Sequence, residues 1–547
     1  MVYLSALLFA IFITIGLIPL LSRLAVRFNM GLDEPDARKV HQQRVPRVGG
    51  IAIALGVYGS GLFWGVQDQF LKAYLIGSAL IVLFGILDDV RGVDFRLKFL
   101  SQVVAALVIV IYGGIRIRNL GGLLPEDMLL SEAVAIPLTV VAVVGVTNAV
   151  NLADGLDGLA GGICLLSFCC LGYLAYLDEN LTLSLLAVAL AGSIFGFLRY
   201  NTYPAELFMG DTGSQFLGFS AVSLALCLTQ GKSPLSPLVP VFILGFPILD
   251  TLSVMAQRIA DKKPVFLADK NHFHHKLMRL GLSHTESVVV IYALQAVLVL
   301  TAFVCRFQSE WFLLSSYVAF SAMVLAGFHF AESTHWSVKH YSLFDVPFRG
   351  RLRSMRDRGV FIKVSFHIIR WGVPFLLFVT CLIPAEIPSY FSLLSAVFLG
   401  MLAVIAIFRK KWTRPCLTVA LYLFIPVVIA LGAEKEAPLM AGIHMIYDIL
   451  CIAMVFFVVL TLKLTRRRQG FKTTPMDFLI LFIALAFPYF MSKYLHSEQL
   501  TMVAAKTVMF FFSYEVVIGE LRGKFNGLVL ACIPSLLAVI IRGVFQW

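Results

Sequence analysis

Five polar clusters punctuate an otherwise apolar chain, and each is built from carboxylates, amides, imidazoles or cations, without a thiol. The densest runs Asn148-Ala149-Val150-Asn151-Leu152-Ala153-Asp154-Gly155-Leu156-Asp157-Gly158-Leu159-Ala160-Gly161-Gly162. It gathers two amides, two carboxylates and four glycines with no lysine or arginine, far more oxygen than a plain turn needs. Asp154 and Asp157 are three residues apart, so a helical turn would set both on one face. Hard oxygen donors suit magnesium, which binds through a few carboxylates and the phosphates of a substrate. Asp88-Asp89 closes an apolar run; neighbouring carboxylates at a membrane boundary repel, and need a cation, a proton or a lysine to persist. Arg91, Arg96 and Lys98 are near enough in sequence to neutralise them, and a magnesium or general-base role is the competing reading.

Phe208-Met209-Gly210-Asp211-Thr212-Gly213-Ser214 opens another apolar run. A carboxylate, two hydroxyls and two glycines at a helix start make a place for a metal or a phosphate. An N-cap role would explain Asp211 but not the glycines beside it. Asp269-Lys270-Asn271-His272-Phe273-His274-His275-Lys276 sets three imidazoles in four positions. With no cysteine nearby and hard oxygen donors elsewhere, phosphate binding by His272, His274, His275 and lysine fits better than zinc. The fifth cluster, from Asp33 through Lys39 and His41 to Arg47-Val48-Gly49-Gly50, offers cations for phosphate oxygens and glycines for close backbone approach. An ordinary basic topology loop would read the same way.

The elements that must position these clusters follow from composition. Of the 547 residues 59% are hydrophobic and only 14% charged, too little polar surface for a soluble globule of this length. Apolar runs of about twenty residues recur from end to end, each able to cross a hydrocarbon core of roughly 30 Å. The chain therefore reads as an all-α, polytopic helical membrane protein. Eleven spans fall within residues 1–331, with 236–256 as one continuous span, and about seven within 365–547, with 476–491 among them. Residues 332–364, carrying Arg349, Arg351, Arg353, Arg356 and Arg358, read as a basic cytoplasmic linker. The first run lacks a basic leader and a cleavage site and reads as a retained span.

The net charge of +12 does not point to nucleic acid, because the basic residues are spread over short loops. With the N-terminus outside, the loops after odd-numbered spans hold 34 of the 44 lysines and arginines, and by the positive-inside rule they are cytoplasmic. All five clusters fall on or beside that face. The nine cysteines lie in or beside apolar runs with no CxxC, which argues against disulfides and structural zinc.

Taken together, RKVHQQRVPRVGG, LDDVRG, NAVNLADGLDGLAGG, FMGDTGS and DKNHFHHKLMRLGLS resemble the polyprenyl-phosphate N-acetylhexosamine-1-phosphate transferases, in order and across residues 1–331. The resemblance implies a bundle of ten or eleven spans with a cytoplasmic site in a bacterial inner membrane. It implies undecaprenyl phosphate and a UDP-N-acetylhexosamine as substrates, membrane lipids as surroundings, magnesium (or manganese) as cofactor, and release of UMP. Homodimerisation is a further expectation. The His-Phe-His-His run is similar to the UDP-N-acetylglucosamine branch, whereas the muramoyl-pentapeptide branch typically has three consecutive histidines. Initiation of a lipopolysaccharide, enterobacterial-type or teichoic-acid-type glycan is the implied role. Carried over by motif, Asp211 is the magnesium ligand, and Asp88 with Asp89 the general base or acceptor-phosphate positioner. Asn151, Asp154 and Asp157 place the nucleotide-sugar and metal shell, with Asn148 beside them, while Lys39, His41, His272, His274 and His275 hold substrate.

Two other classes compete. A prenyltransferase would need a second Asp-rich helix, and here the second acidic cluster is broken by glycines. A transporter would place ionisable groups near the bilayer midplane. The front half does not, although 365–547 remains open to a role in moving or extending a lipid product. Lys506 and Glu515, nine residues apart in one span, cannot pair on a straight helix.

Overall fold

The computed structural model describes residues 2–33, 44–65, 68–125, 128–231, 233–264, 271–334, 336–337, 360–408, 413–434, 444–464, 497–520 and 526–545. Almost all of these are helical. The helices up to Ser333 pack as one compact unit and those from Val360 onward as another. Ten described helices are long and apolar enough to cross a bilayer, and four shorter apolar helices accompany them.

The first unit contains α1 (Val2–Phe28), α2 (Gly49–Trp64), α3 (Gln69–Arg91), α4 (Phe95–Leu107), α5 (Glu132–Ala153), α6 (Leu159–Leu177), α7 (Leu181–Asn201) and α8 (Gly210–Thr229). After them come α9 (Val239–Ile243), α10 (Gly245–Ala260), α11 (Phe273–Arg279), α12 (His284–Val304) and α13 (Glu310–Ser333). α4 runs on through one π turn at Val108–Tyr112. Strands β1 (Leu32–Asp33) and β2 (Val45–Pro46) form an antiparallel clip before α2. α6, α7 and α8 are buried almost all round, as helices at the centre of a membrane bundle must be. α13 is the opposite, with little of its surface covered inside the unit.

The span expected at 236–256 is broken. α9 stops at Ile243 and α10 starts at Gly245, with Pro240 and Pro247 removing backbone donors on either side. Groups freed inside a membrane must find partners within the protein. Here Gln295 of α12 supplies them: its Oε1 accepts from Phe246 N at 3.2 Å and its Nε2 donates to Ile243 O at 2.7 Å. Tyr317 of α13 donates to Gly245 O at 2.8 Å. α10 carries an aspartate, Asp250, to the site described below.

The second unit contains α14 (Val360–Leu382), α15 (Ser389–Phe408), α16 (Thr413–Glu434), α17 (His444–Leu464), α18 (Ser497–Glu520) and α19 (Asn526–Phe545). Phe391 and Phe424 stack in its apolar core, with Leu376, Val373 and Phe510 buried around them. Arg542 donates to Cys381 O at 2.9 Å and Pro384 O at 2.5 Å, closing the C-terminal end of α14. The partner that Lys506 needs is Asp448 of α17, 2.8 Å away, with the ammonium 4.7 Å from the Tyr447 ring centroid. The pair lines a cavity of about 280 Å³ together with Cys451, Met502 and Met509. The expected span 476–491 and the arginines of the linker lie outside the described residues.

Candidate active site

The carboxylates of two motifs meet where α3 ends and α4 and α8 begin. Asp88 and Asp89 sit on the last turn of α3, and Asp211 on the first turn of α8. Lys98, on the first turn of α4, lies 2.6 Å from Asp88 Oδ2 and also pairs with Asp211. One lysine thus holds two carboxylates that would otherwise repel each other. The second Asp88 oxygen accepts from Val93 N at 2.8 Å.

Asp89 points the other way. Its carboxylate accepts from Asp211 N at 2.9 Å, Thr212 N at 3.0 Å and Thr212 Oγ1 at 2.6 Å. Both oxygens therefore cap the N-terminus of α8, filling the place where the sequence suggested a metal or phosphate. Asp211 is not the N-cap and keeps its side chain for Lys98 and Asp88. Gly210 makes the approach feasible: it has a φ of +71°, and a Cβ there would strike the Asp89 carboxylate. Nearby, the Gly50 N–H donates to Met209 O at 2.9 Å, and a Cβ on Gly50 would run into the Gly213 backbone. Close backbone approach, expected for Gly49-Gly50, is realised against α8 rather than against a substrate. Arg47 leads into α2 and forms an ion pair with buried Asp33. Burial works to lower its pKa, but Asp33 and the charges of Asp89 and Asp211 outweigh burial and raise it.

The loop between α5 and α6 supplies the next carboxylates. Asp154 and Asp157 are not on one helical face, because α5 stops at Ala153 and α6 begins at Leu159. Asp157 is anchored, its Oδ2 accepting from Ala205 N at 3.0 Å. The Asp154 carboxylate accepts no hydrogen bond from the described residues. Burial first, then the negative charges of Asp211, Asp157 and Asp89, push it up to about 7. Asn151 accepts from Ser214 Oγ at 2.6 Å, tying α5 to α8. Asn148 lies one turn earlier in α5 and bonds to Gln102 of α4 at 2.6 Å, which in turn bonds to Gln215 of α8 at 3.0 Å. Asn148 thus belongs to a buried amide network beneath the site.

The histidines arrive on α11. His272 and His274 are buried, and His275 packs on His274 with ring centroids 4.2 Å apart. Burial, then the neighbouring charge of His275, lower the His274 pKa to about 4. It is therefore a neutral hydrogen-bonding group at pH 7, not a cation. A Cβ on Gly155 would collide with the His274 ring, so this imidazole lies against the acidic loop. Asp250 of α10, absent from the sequence motifs, accepts from His272 Nδ1 at 2.9 Å and Phe273 N at 2.8 Å. It fixes the His272 ring and caps α11, and Nε2 meets no hydrogen-bond partner among the described residues. A single acid inside a predicted span was the signal for it. Lys39 and His41 lie outside the described residues.

Comparison with known proteins identifies the family. The sequence model of glycosyl transferase family 4 matches residues 71–229, which include Asp88, Asp154, Asp157 and Asp211. A protein of Bacillus subtilis (strain 168) named "Probable undecaprenyl-phosphate N-acetylglucosaminyl 1-phosphate transferase" is 37% identical over 308 residues, 56% of this chain and 85% of that protein. Undecaprenyl-phosphate alpha-N-acetylglucosaminyl 1-phosphate transferases of Yersinia pestis and Escherichia coli (strain K12) are 31% and 29% identical. These matches cover 55% and 60% of this chain, and 85% and 89% of the relatives.

Proposed function

Since the chain belongs to glycosyl transferase family 4, we propose that it transfers N-acetylglucosamine-1-phosphate from a UDP-sugar to undecaprenyl phosphate, releasing UMP. The observation that carries this reading is the acidic cluster in which Lys98 joins Asp88 to Asp211 while Asp154 feels the charge of Asp211. The names of the relatives support N-acetylglucosamine over muramoyl-pentapeptide as the sugar. The excess of basic residues in alternate loops supports a cytoplasmic site in a bacterial membrane.

The donor set fits a magnesium ion. It is all oxygen, it carries more negative charge than Lys98 and Arg47 balance, and Asp154 accepts no hydrogen bond from the described residues. Asp211 would hold the ion, with Asp154 in its shell. When bound, the ion supplies charge neutralisation for the diphosphate and the departing UMP. The protein's own groups do the rest. An alkyl phosphate is largely ionised at pH 7, with a second pKa of about 6, so the acceptor oxygen needs little help from a base. Asp88 is then best used in orienting Lys98, whose ammonium steers the acceptor phosphate toward the β-phosphorus. Direct in-line displacement follows: the acceptor oxygen bonds to the β-phosphorus as its bond to the bridging oxygen breaks, and UMP departs with that oxygen. The neutral His274 adds a hydrogen bond to a phosphate oxygen without adding charge, and His272, fixed by Asp250, stacks beside it.

Purified full-length protein with undecaprenyl phosphate, magnesium and a panel of UDP-sugars tests this reading. UMP release is expected with UDP-N-acetylglucosamine, and no release with any UDP-N-acetylhexosamine would overturn it.

A further inference from the structure

The loop bearing Asp154 and Asp157 is held by groups that the reaction described above does not use. The Asp157 backbone N–H donates to Nε2 of His284, the first residue of α12, at 3.2 Å. The same imidazole stacks on Tyr203, with ring centroids 4.4 Å apart and planes inclined by 25°. Tyr203 belongs to the connector between α7 and α8, whose Ala205 N–H binds the Asp157 carboxylate. Asp157 is thus gripped through both its backbone and its side chain.

The bond also fixes the imidazole. An Nε2 that accepts leaves the ring proton on Nδ1. Nδ1 is buried and meets no hydrogen-bond partner among the described residues. Leaving a buried donor unpaired is costly, and an apolar ring would fill the same space against Tyr203 without that cost. What only the imidazole provides is the acceptor for Asp157. The neighbouring residue needs no such help, since Gly158 N–H donates to Asn201 Oδ1 at 2.9 Å and its carbonyl accepts from Tyr292 at 2.5 Å.

We propose that His284 is a positioning residue for the transfer reaction. With Tyr203 behind it, it clamps the Asp157 end of the loop, so that Asp154, which accepts no hydrogen bond from the described residues, is kept within reach of the Asp211 charge. The inference rests on the sugar-1-phosphate transfer reading and adds a residue to it outside the five motifs.

Three variants separate the acceptor from the stack. His284→Phe keeps a ring on Tyr203 but has no acceptor, His284→Gln can place Oε1 where Nε2 lies, and His284→Ala has neither. They are compared as folded, monodisperse full-length protein by UMP release. Misplacing a reacting group typically costs orders of magnitude in rate, so Phe and Ala are expected to lower kcat about tenfold or more. KM for the UDP-sugar should stay near the wild-type value, and Gln should recover most of the lost turnover. Wild-type kcat in the Phe variant, or equal losses in Gln and Phe, would overturn the proposal. Should the wild-type protein release no UMP, the transfer reading fails instead. Hydrogen exchange at residues 154–158 then decides on the clamp: faster in Phe and unchanged in Gln supports it, and no change in Phe overturns it.

Discussion

Replacing Asp154 by asparagine should make the protein more stable and abolish its activity. Partial burial, with the negative charges of Asp211, Asp157 and Asp89, pushes the Asp154 carboxylate up to about 7. An unfolded aspartate titrates at about 3.9, and each pH unit of difference is worth ~1.4 kcal/mol. The full difference is therefore about 4 kcal/mol against the ionised form. Some solvent reaches the side chain, so about 2 kcal/mol is a fairer figure after screening. The raised value fixes the sign. Between about pH 4 and 7 the folded protein keeps a proton that the unfolded chain has released, so stability falls as pH rises and levels off above about 7. Asparagine removes that dependence. Thermal unfolding in detergent at pH 8 without divalent cations should show the variant melting roughly 4 °C above wild type, with the gap narrowing toward pH 4. Added magnesium should raise the wild-type midpoint and move the variant less. A variant that melts below wild type at pH 8 would refute the electrostatic reasoning.

Three further outcomes follow from the same contacts. Asp89→Ala removes the cap of α8 and should cost about 1–2 kcal/mol, read as a lower melting midpoint, and with it most UMP release because Asp211 rides on that turn. Gly210→Ala forces a side chain into the Asp89 carboxylate at a positive φ and should lower both stability and turnover, whereas a polar change on exposed Lys263 should leave both unaltered. In the second unit, Lys506→Met strands Asp448 and should reduce yield of folded protein, and adding Asp448→Asn should restore it.

The helices were legible because apolar runs of spanning length leave little choice, and α3, α6, α7 and α8 lie where those runs fall. Residues 236–256 read as one helix because a run interrupted by proline can still look continuous. Gln295, Tyr317 and Ser167, from other helices, show how a break there is satisfied. The motifs named the acids but not their division of labour. Asp88 and Asp89 are neighbours in sequence, yet successive helical positions point apart, so one meets Lys98 and the other caps α8. Of the three cations near enough in sequence to neutralise Asp88 and Asp89, Lys98 pairs with Asp88, and its second bond reaches Asp211, 113 residues away. Asp250 and His284 escaped notice for the same reason, since each acts on a residue that only the tertiary fold brings near.

The central claim is that a sugar-1-phosphate, and not the sugar alone, moves to the lipid. Incubating full-length protein with undecaprenyl phosphate, magnesium and UDP-N-acetylglucosamine labelled at the β-phosphorus tests it directly. The account predicts that the label enters the organic-soluble lipid fraction while unlabelled UMP appears in the aqueous phase. Label retained in water-soluble UDP, with sugar on the lipid, would contradict it.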